Sequence, residues 1–334
     1  MRRTIAIGLW ATLLASLGPA WAQEAPPKAP EATKPPGRRL HVQFQETRLR
    51  GESTTATRTT RLALHADAEG ASVSVGSQVP ISVAGKEATT TLIKSVGIEG
   101  RAKVGTLADG RYRLEAHFEE SSVLEATGGA AAAASGDNPI LLVVRGESTL
   151  VLREGETVPF ASAVDPVTSE AVRVDVAVTT APVPKPIPGA GQGEARLRAR
   201  LVLVRRQGDT KVARRPYSVV LQAPGEGAAA QADLFSGSML PLLVKMQGEP
   251  TAMFKDVGAG LRLKAQRVPD GRYRLDLSFS DGVLAAGKGS PIIRAFQSET
   301  QLFVQDGETL TVASSADPQT GEVVEAEVTV ERVP

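Results

Sequence analysis

Apolar and polar residues alternate with a period of two along most of this chain. This spacing places one side of each segment in a core and the other side in water, as a half-buried β-strand requires. No segment outside an Ala-rich stretch at 126–137 sustains a 3.6-residue period, so the pattern predicts an all-β protein. The clearest apolar series are Leu40, Val42, Phe44; Tyr112, Leu114, Ala116, Phe118; Leu150, Leu152; and Val172, Val174, Val176, Val178.

Residues typical of turns separate these segments. Asp-Gly supplies the positive φ of a tight hairpin, and Asp-Pro presets the first corner of a type I turn. Their spacing predicts that the last third of each half of the chain is a three-stranded meander. The predicted turn positions are Gly76, Pro80, Gly97, Asp109, Gly110, Gly155, Asp165, Pro166, Gly237, Pro241, Gly258, Asp270, Gly271, Gly307, Asp317 and Pro318.

The chain contains the same unit twice. Residues 90–118 align with 251–279 at 13 of 29 identical positions, including Asp-Gly-Arg-Tyr-Arg-Leu in both. Residues 138–178 align with 290–330 at 16 of 41. Together with the alternation, this duplication predicts two tandem homologous antiparallel β-sandwich or open-barrel modules.

The N-terminus has the organisation of a secretory signal. Met1-Arg2-Arg3 precedes the apolar run 5–17, and Ala20-Trp21-Ala22 predicts cleavage between Ala22 and Gln23. A run of 13 apolar residues is shorter than the roughly 20 that a membrane-spanning helix needs. The signal therefore predicts a periplasmic or secreted protein that is not anchored by a transmembrane helix. Because no Cys follows the apolar run, we do not expect a lipoprotein.

Proline-rich stretches divide the rest of the chain. We expect a signal peptide at 1–22, a spacer at 23–38, module copy 1 at 39–181, a Pro/Gly linker at 182–194 and module copy 2 at 195–334. Each copy is long enough to bury its own core, so residues 39–181 and 195–334 are expected to unfold cooperatively when separated. The alternative is that the copies share strands in one continuous sheet.

Composition excludes several classes of function. The 38 basic and 37 acidic residues balance, so nucleic acid is not an expected partner. The absence of Cys excludes thiol catalysis, iron–sulfur clusters and a disulfide framework. The three histidines, His41, His65 and His117, all lie in copy 1 at polar positions of alternating segments.

No catalytic, cofactor-binding or metal-binding residues are therefore assigned. We interpret the histidines as residues of solvated strand faces, since a metal site is not repeated in copy 2. Serine chemistry lacks a base in copy 2 and a Gly-x-Ser-x-Gly motif in either copy. Acidic residues near the turns, such as Glu154 and Glu170, could hold calcium, although such turns are ordinarily acidic.

Arg196, Arg198 and Arg200 alternate with apolar residues at the start of copy 2 and form a basic ridge on one strand face. A charged face that prevents edge-to-edge pairing explains the ridge, and an anionic envelope partner is the alternative.

Read in order, each copy resembles a reduced secretin module, the β-domain of bacterial outer-membrane secretion channels. The segment from Gly76 to Pro80, the Val-Gly pairs at Gly97 and Gly258, and Pro139 and Pro291 are similar to that family's motifs. The Gly-Glu-Thr turns at 155–157 and 307–309 are similar to its last turn. The resemblance implies an envelope location. The chain departs from the family in its short 81–95 segment, which leaves little room for membrane-inserting hairpins.

Three functions remain open. The first is an exported, non-enzymatic protein that binds or braces an envelope protein partner, by strand addition at a sheet edge. The second, which the resemblance alone implies, is a subunit of an oligomeric outer-membrane secretin-type pore. The third is a small-ligand binder or hydrolase, for which no catalytic set recurs between copies. The oligomeric state is not predicted.

Overall fold

β-Strands make up nearly all of the described chain. The computed structural model describes residues 38–84, 89–124, 140–164, 170–181, 195–223, 229–246, 249–285 and 292–333. The predicted signal cleavage site at Ala22 and Gln23, the linker at 182–194, and Asp165 and Pro166 lie outside these residues. The strands of copy 1 are β1 (Arg39–Arg50), β2 (Ser53–His65), β3 (Ala71–Ala84), β4 (Thr89–Thr106), β5 (Tyr112–Leu124), β6 (Ile140–Leu152), β7 (Thr157–Val164) and β8 (Ala171–Thr180). Those of copy 2 are β9 (Ala195–Gln207), β10 (Thr210–Ala223), β11 (Ala229–Met246), β12 (Glu249–Arg267), β13 (Tyr273–Ala285), β14 (Ile292–Val304), β15 (Thr309–Ala316) and β16 (Val323–Val333).

The strands form two open antiparallel sheets of eight. Sheet A has the order β10-β9-β16-β15-β2-β1-β8-β7, and sheet B has the order β11-β12-β13-β14-β3-β4-β5-β6. The predicted all-β, two-module sandwich is therefore confirmed. Each copy supplies four strands to each sheet, and the strands of the two copies pair in both sheets.

The predicted meander is wrong in its topology. β7 and β8 form a hairpin in sheet A, whereas β6 pairs with β5 in sheet B. The turn at 153–156 therefore carries the chain from one layer to the other. Such a crossing is favourable in a two-layer fold because each sheet then buries one face against the other.

The core lies between the sheets, as the alternation predicts. Leu40, Val42 and Phe44 are fully buried on β1, and Phe44 stacks on Phe118 of β5 with ring centroids 5.6 Å apart. In copy 2, Phe279 of β13 packs against Phe296 of the neighbouring strand β14, with ring centroids 5.6 Å apart. One continuous cluster of buried side chains runs through both copies.

The two copies repeat each other strand by strand and in register. The pair Arg39–His65 in β1–β2 corresponds to Arg196–Gln222 in β9–β10, a shift of 157. The pair Gly76–Gly97 in β3–β4 corresponds to Gly237–Gly258 in β11–β12, a shift of 161. Thr157–Ala177 in β7–β8 corresponds to Thr309–Thr329 in β15–β16, a shift of 152.

Four glycines assigned to turns lie inside strands instead. Gly76 and Gly97 face each other in β3–β4, and Gly237 and Gly258 do so in β11–β12. Gly97 and Gly258 have φ values of 147° and 141°, a conformation that glycine adopts easily. A Cβ on Gly97 would overlap the Val75 carbonyl oxygen, so the glycines allow the close approach of two backbones.

Pro80 and Pro241 also lie within strands, in β3 and β11, and not in turns. The Asp-Gly and Asp-Pro dipeptides predicted to form turns lie in turns wherever the structure describes them. Gly110, Gly155, Gly271 and Gly307 occupy turns with positive φ, and Asp317 accepts a hydrogen bond from the Gln319 amide next to Pro318. Asp109 and Asp270 lie in the same turns as Gly110 and Gly271.

Candidate binding edges

The two copies are joined by strand pairing in both sheets. In sheet B, β3 pairs with β14 from Ala71–Thr300 to Gln78–Ile293, and in sheet A, β2 meets β15 at Leu62–Ala313. We call this contact between copies the internal junction. Strand addition of this kind satisfies backbone donors and acceptors on both partners.

Side chains reinforce the internal junction. The Thr300 hydroxyl donates to the Ala63 carbonyl at 2.8 Å, and Thr60 and Ser315 share a hydrogen bond of 2.9 Å. His65 is fully buried, and its Nε2 accepts from the Phe303 amide at 3.1 Å. The junction is therefore a packed interface with satisfied polar groups.

The outer strands of the two sheets occupy the positions that correspond to the strands of the internal junction. By the repeat, β10 and β11 correspond to β2 and β3, while β7 and β6 correspond to β15 and β14. In the described part of the chain, β7 and β10 end sheet A, and β6 and β11 end sheet B, each pairing on one side. Within the described residues, each molecule thus presents both halves of its internal junction without a partner strand.

Exposed apolar side chains concentrate on these outer strands. Among the described residues, seven of the eight large hydrophobic side chains that are exposed lie on them, and Leu284 of β13 is the exception. They are Val143 and Val151 on β6, Val164 on β7, Val212 and Val220 on β10, and Phe235 and Met239 on β11. Exposed apolar edge strands are the surfaces to which other strands add.

The internal junction shows what a partner does to these positions. Val151 is 49% exposed, but its counterpart Phe303 is 5% exposed. Val164 is 66% exposed against 7% for Ala316, and Val220 is 56% exposed against 3% for Ala63. These three positions are buried at the internal junction and exposed at the outer edges of the sheets.

A buried carboxylate held by two arginines recurs in both copies, between the sheets. In copy 1, Glu120 accepts from Arg48 at 2.5 Å and from Arg58 at 2.6 Å. In copy 2, Asp281 takes the same place, with Arg205 at 3.3 Å and Arg215 at 3.1 Å. The alternation of polar and apolar residues does not reveal this cluster, although the shift of 157 aligns Arg48 with Arg205 and Arg58 with Arg215.

Copy 1 adds a second carboxylate to its cluster. Glu46 accepts from the Nε of Arg48 at 2.8 Å, where copy 2 has Leu203. Burial, together with the nearby charge of Glu46, raises the pKa of Glu120 to about 7. Arg58 also donates to the Pro318 carbonyl at 3.2 Å, so the cluster reaches the internal junction. Its geometry suits a structural brace between layers and copies.

The three histidines do not converge. His65 is buried at the internal junction, so its predicted place on a solvated face is wrong; its ring packs edge-on against Phe303 at 5.0 Å. His41 is half-buried, and burial lowers its pKa. His117 lies on the outer face of sheet B. In the described residues, no group of three His, Asp or Glu side chains could hold a metal ion.

The basic ridge lies on β9, one strand inside the edge of sheet A. Arg198 pairs with Glu331 of β16 at 3.3 Å, while Arg196 and Arg200 are exposed. Because β9 is covered by β10, the ridge does not guard a sheet edge as the sequence interpretation supposed. An anionic partner for it stays a prediction.

The outer face of sheet B forms a groove of about 1710 Å³ that is lined by all eight of its strands. Its lining combines apolar surface with polar and charged side chains of both signs, and Ser74, Arg101, Glu147, Asp233 and Gln297 are among the exposed or half-buried residues. The described chain contains no helix that is long and apolar enough to cross a membrane.

Comparison with known proteins yields structural likeness only. No protein-family profile matches the chain, and neither does any curated protein. Among solved structures, it is similar to the secretin in the ETEC pilotin–secretin complex AspS–GspD, with 9% identity and a TM-score of 0.29 over 89% of this chain and 50% of that one. The V. cholerae type IV competence pilus secretin PilQ gives 13% and 0.24, over 89% and 61%.

The type II secretin XcpQ of Pseudomonas aeruginosa gives 12% identity and a TM-score of 0.28, over 89% of this chain and 59% of that one. The chain thus spans about half to three fifths of the length of these secretin chains. The likeness is one of β architecture, and it identifies neither an activity nor a partner.

Proposed function

We propose that this chain is an exported, non-enzymatic protein of the bacterial envelope that binds protein through the open edges of its two sheets. The observation that carries the proposal is the concentration of exposed apolar side chains on β6, β7, β10 and β11. Unpaired backbone groups and apolar side chains on one strand are what an added strand requires.

A second copy of the chain is the partner that these edges fit best. The β10–β11 edge corresponds to the β2–β3 side of the internal junction, and the β6–β7 edge corresponds to its β14–β15 side. The contact is heterologous, because the two surfaces differ. Repeating it from chain to chain gives a ring if the rotation closes and a filament if it does not.

The register of this contact follows from the internal junction. The pairs Thr300–Ala71 and Ile293–Gln78 translate into Ser148–Ala232 and Leu141–Met239 between chains. In sheet A, Ala313–Leu62 translates into Ala161–Val219.

The test uses lysine substitutions at the edges of the mature protein, residues 23–334. Val164→Lys and Val220→Lys place a charge where the internal junction buries Ala316 and Ala63. Leu284→Lys is the matched control, since Leu284 is 54% exposed but lies on β13, inside sheet B. We expect wild type and the control to form species heavier than a monomer in light scattering, and both edge variants to lose them.

Other results distinguish self-association from the binding of a different protein. A wild-type protein that is monomeric at every concentration contradicts self-association. Chemical cross-linking in envelope extracts then decides whether another protein occupies the edges. If no specific partner is recovered, binding through the edges is wrong as well.

The second candidate is a subunit of an outer-membrane secretin-type pore. The observation that favours it is the row of charged and polar side chains in the groove of sheet B, because a series of such faces around a ring would line an aqueous passage. Release of the protein by osmotic shock without detergent would contradict this candidate, while extraction only with detergent, as a large oligomer, would support it.

A further inference from the structure

An ion pair closes the internal junction at one end. Arg39, at the start of β1, donates through its two terminal nitrogens to both carboxylate oxygens of Glu308, at 2.7 and 3.2 Å. It also donates to the Phe303 carbonyl at 3.1 Å. Arg39 is 3% exposed and Glu308 is 12% exposed, so the pair is largely removed from water.

Glu308 is held in place by its own turn. Its Oε2 accepts from the Gln305 amide at 2.9 Å, in the turn between β14 and β15. A fixed carboxylate facing a bidentate guanidinium has strong geometric selectivity, because a shift of one residue breaks both hydrogen bonds. The pair therefore fixes the register in which copy 2 meets copy 1.

Both residues recur unchanged near the two outer edges, on β9 beside the edge strand β10 and in the turn that leads into the edge strand β7. The shift of 157 places Arg196 at the position of Arg39, and the shift of 152 places Glu156 at that of Glu308. Glu156 is held like Glu308, since it accepts from the Arg153 amide at 2.8 Å. Both side chains are exposed, and within the described residues neither forms a salt bridge, although Glu156 lies close enough to Arg111 for their charges to interact.

We infer that Arg196 of one chain pairs with Glu156 of a second copy and sets the register of the contact between chains. This inference rests on the proposed self-association. In that contact, Arg196 also reaches the Val151 carbonyl, the counterpart of the Phe303 carbonyl. The anionic partner of this part of the basic ridge is then a carboxylate of a second copy of the chain.

Charge reversal tests the pair. Arg196→Glu and Glu156→Arg each place like charges opposite one another, and the double variant restores an opposite-charge pair with its sign inverted. Arg200→Glu is the matched control: Arg200 is exposed on the same face of β9, and its counterpart Gln43 accepts from Arg61 within copy 1. Sedimentation equilibrium gives the dissociation constant of each mature protein, with thermal melts confirming that each one folds.

We expect each single reversal to weaken association by at least about tenfold, the double variant to recover most of that loss, and the control to match wild type. Single reversals that associate like wild type would overturn the inference and leave self-association standing. A double variant as weak as the single ones would overturn it too. If wild type does not associate at all, the proposed function fails, and this pairing fails with it.

Discussion

Alanine at Gly97 tests the close approach of β3 and β4. The new Cβ would overlap the Val75 carbonyl oxygen and lie 2.5 Å from the Gly76 Cα. The φ of 147° adds strain of about 1–3 kcal/mol for a residue with a side chain. Moving one backbone away from the other costs about 1–3 kcal/mol more, as overpacking does. Gly97→Ala is therefore expected to lower the free energy of unfolding by about 4 kcal/mol.

Gly110→Ala is the control for the backbone conformation alone. Gly110 has a φ of 81° in an exposed turn, and a Cβ there meets no atom within 4 Å. It is expected to cost about 1 kcal/mol. Urea unfolding followed by circular dichroism measures both, with unchanged m-values as the check on two-state behaviour. If Gly97→Ala costs no more than Gly110→Ala, the close approach does not constrain the fold.

Three further outcomes are expected. Stability should fall by about 3 kcal/mol in total as pH rises from 5 to 8, because folded Glu120 keeps a proton up to about pH 7 that the unfolded chain releases near 4.5. Glu46→Leu introduces the residue that copy 2 has at this position, and it should reduce the dependence of stability on pH measured by urea titrations. An unchanged dependence would contradict the role of Glu46 in raising the pKa of Glu120. Fragments 39–181 and 195–334 should each melt cooperatively, at a lower temperature than the whole chain. Mixing the two fragments should restore the melting temperature of the whole chain, whereas aggregated fragments would indicate an interlocked domain. N-terminal sequencing of exported protein should begin at Gln23, and an intact Met1 would refute the signal.

The strands and their buried faces could be predicted from the sequence because alternation is a local signal. Leu40, Val42 and Phe44 share a face in the sequence and are fully buried in the fold. The turn glycines show the limit of that signal. Gly110 allows a turn and Gly97 allows two strands to touch, and a single sequence does not distinguish these uses of glycine.

The pairing between copies could not be predicted, because it depends on contacts between residues that are far apart in the chain. His65 reads as a polar strand position, yet it is buried against Phe303, more than two hundred residues away. Glu120 and Arg48 are separated by 72 residues and belong to different sheets. The recurrence of Arg39 as Arg196 is visible in the sequence, but its meaning depends on Glu308 lying opposite Arg39.

Heterotypic cysteine cross-linking tests the head-to-tail pairing of the β6 edge of one chain with the β11 edge of another. The chain has no cysteine, so Glu147→Cys and Asp233→Cys, made in separate chains with different tags, introduce one thiol each. The junction pair Glu299–Ser72 translates to these two positions, on the exposed face of sheet B. Arg262→Cys replaces Asp233→Cys in the control, since Arg262 is exposed on the neighbouring strand β12.

Mild oxidation of the mixed mature proteins, followed by non-reducing electrophoresis with detection of both tags, gives the yield of mixed dimers. We expect a prominent mixed dimer from the Glu147→Cys and Asp233→Cys chains and little from the control mixture. Equal yields from the two mixtures, or no mixed dimer in either, would contradict the head-to-tail pairing of the sheet edges.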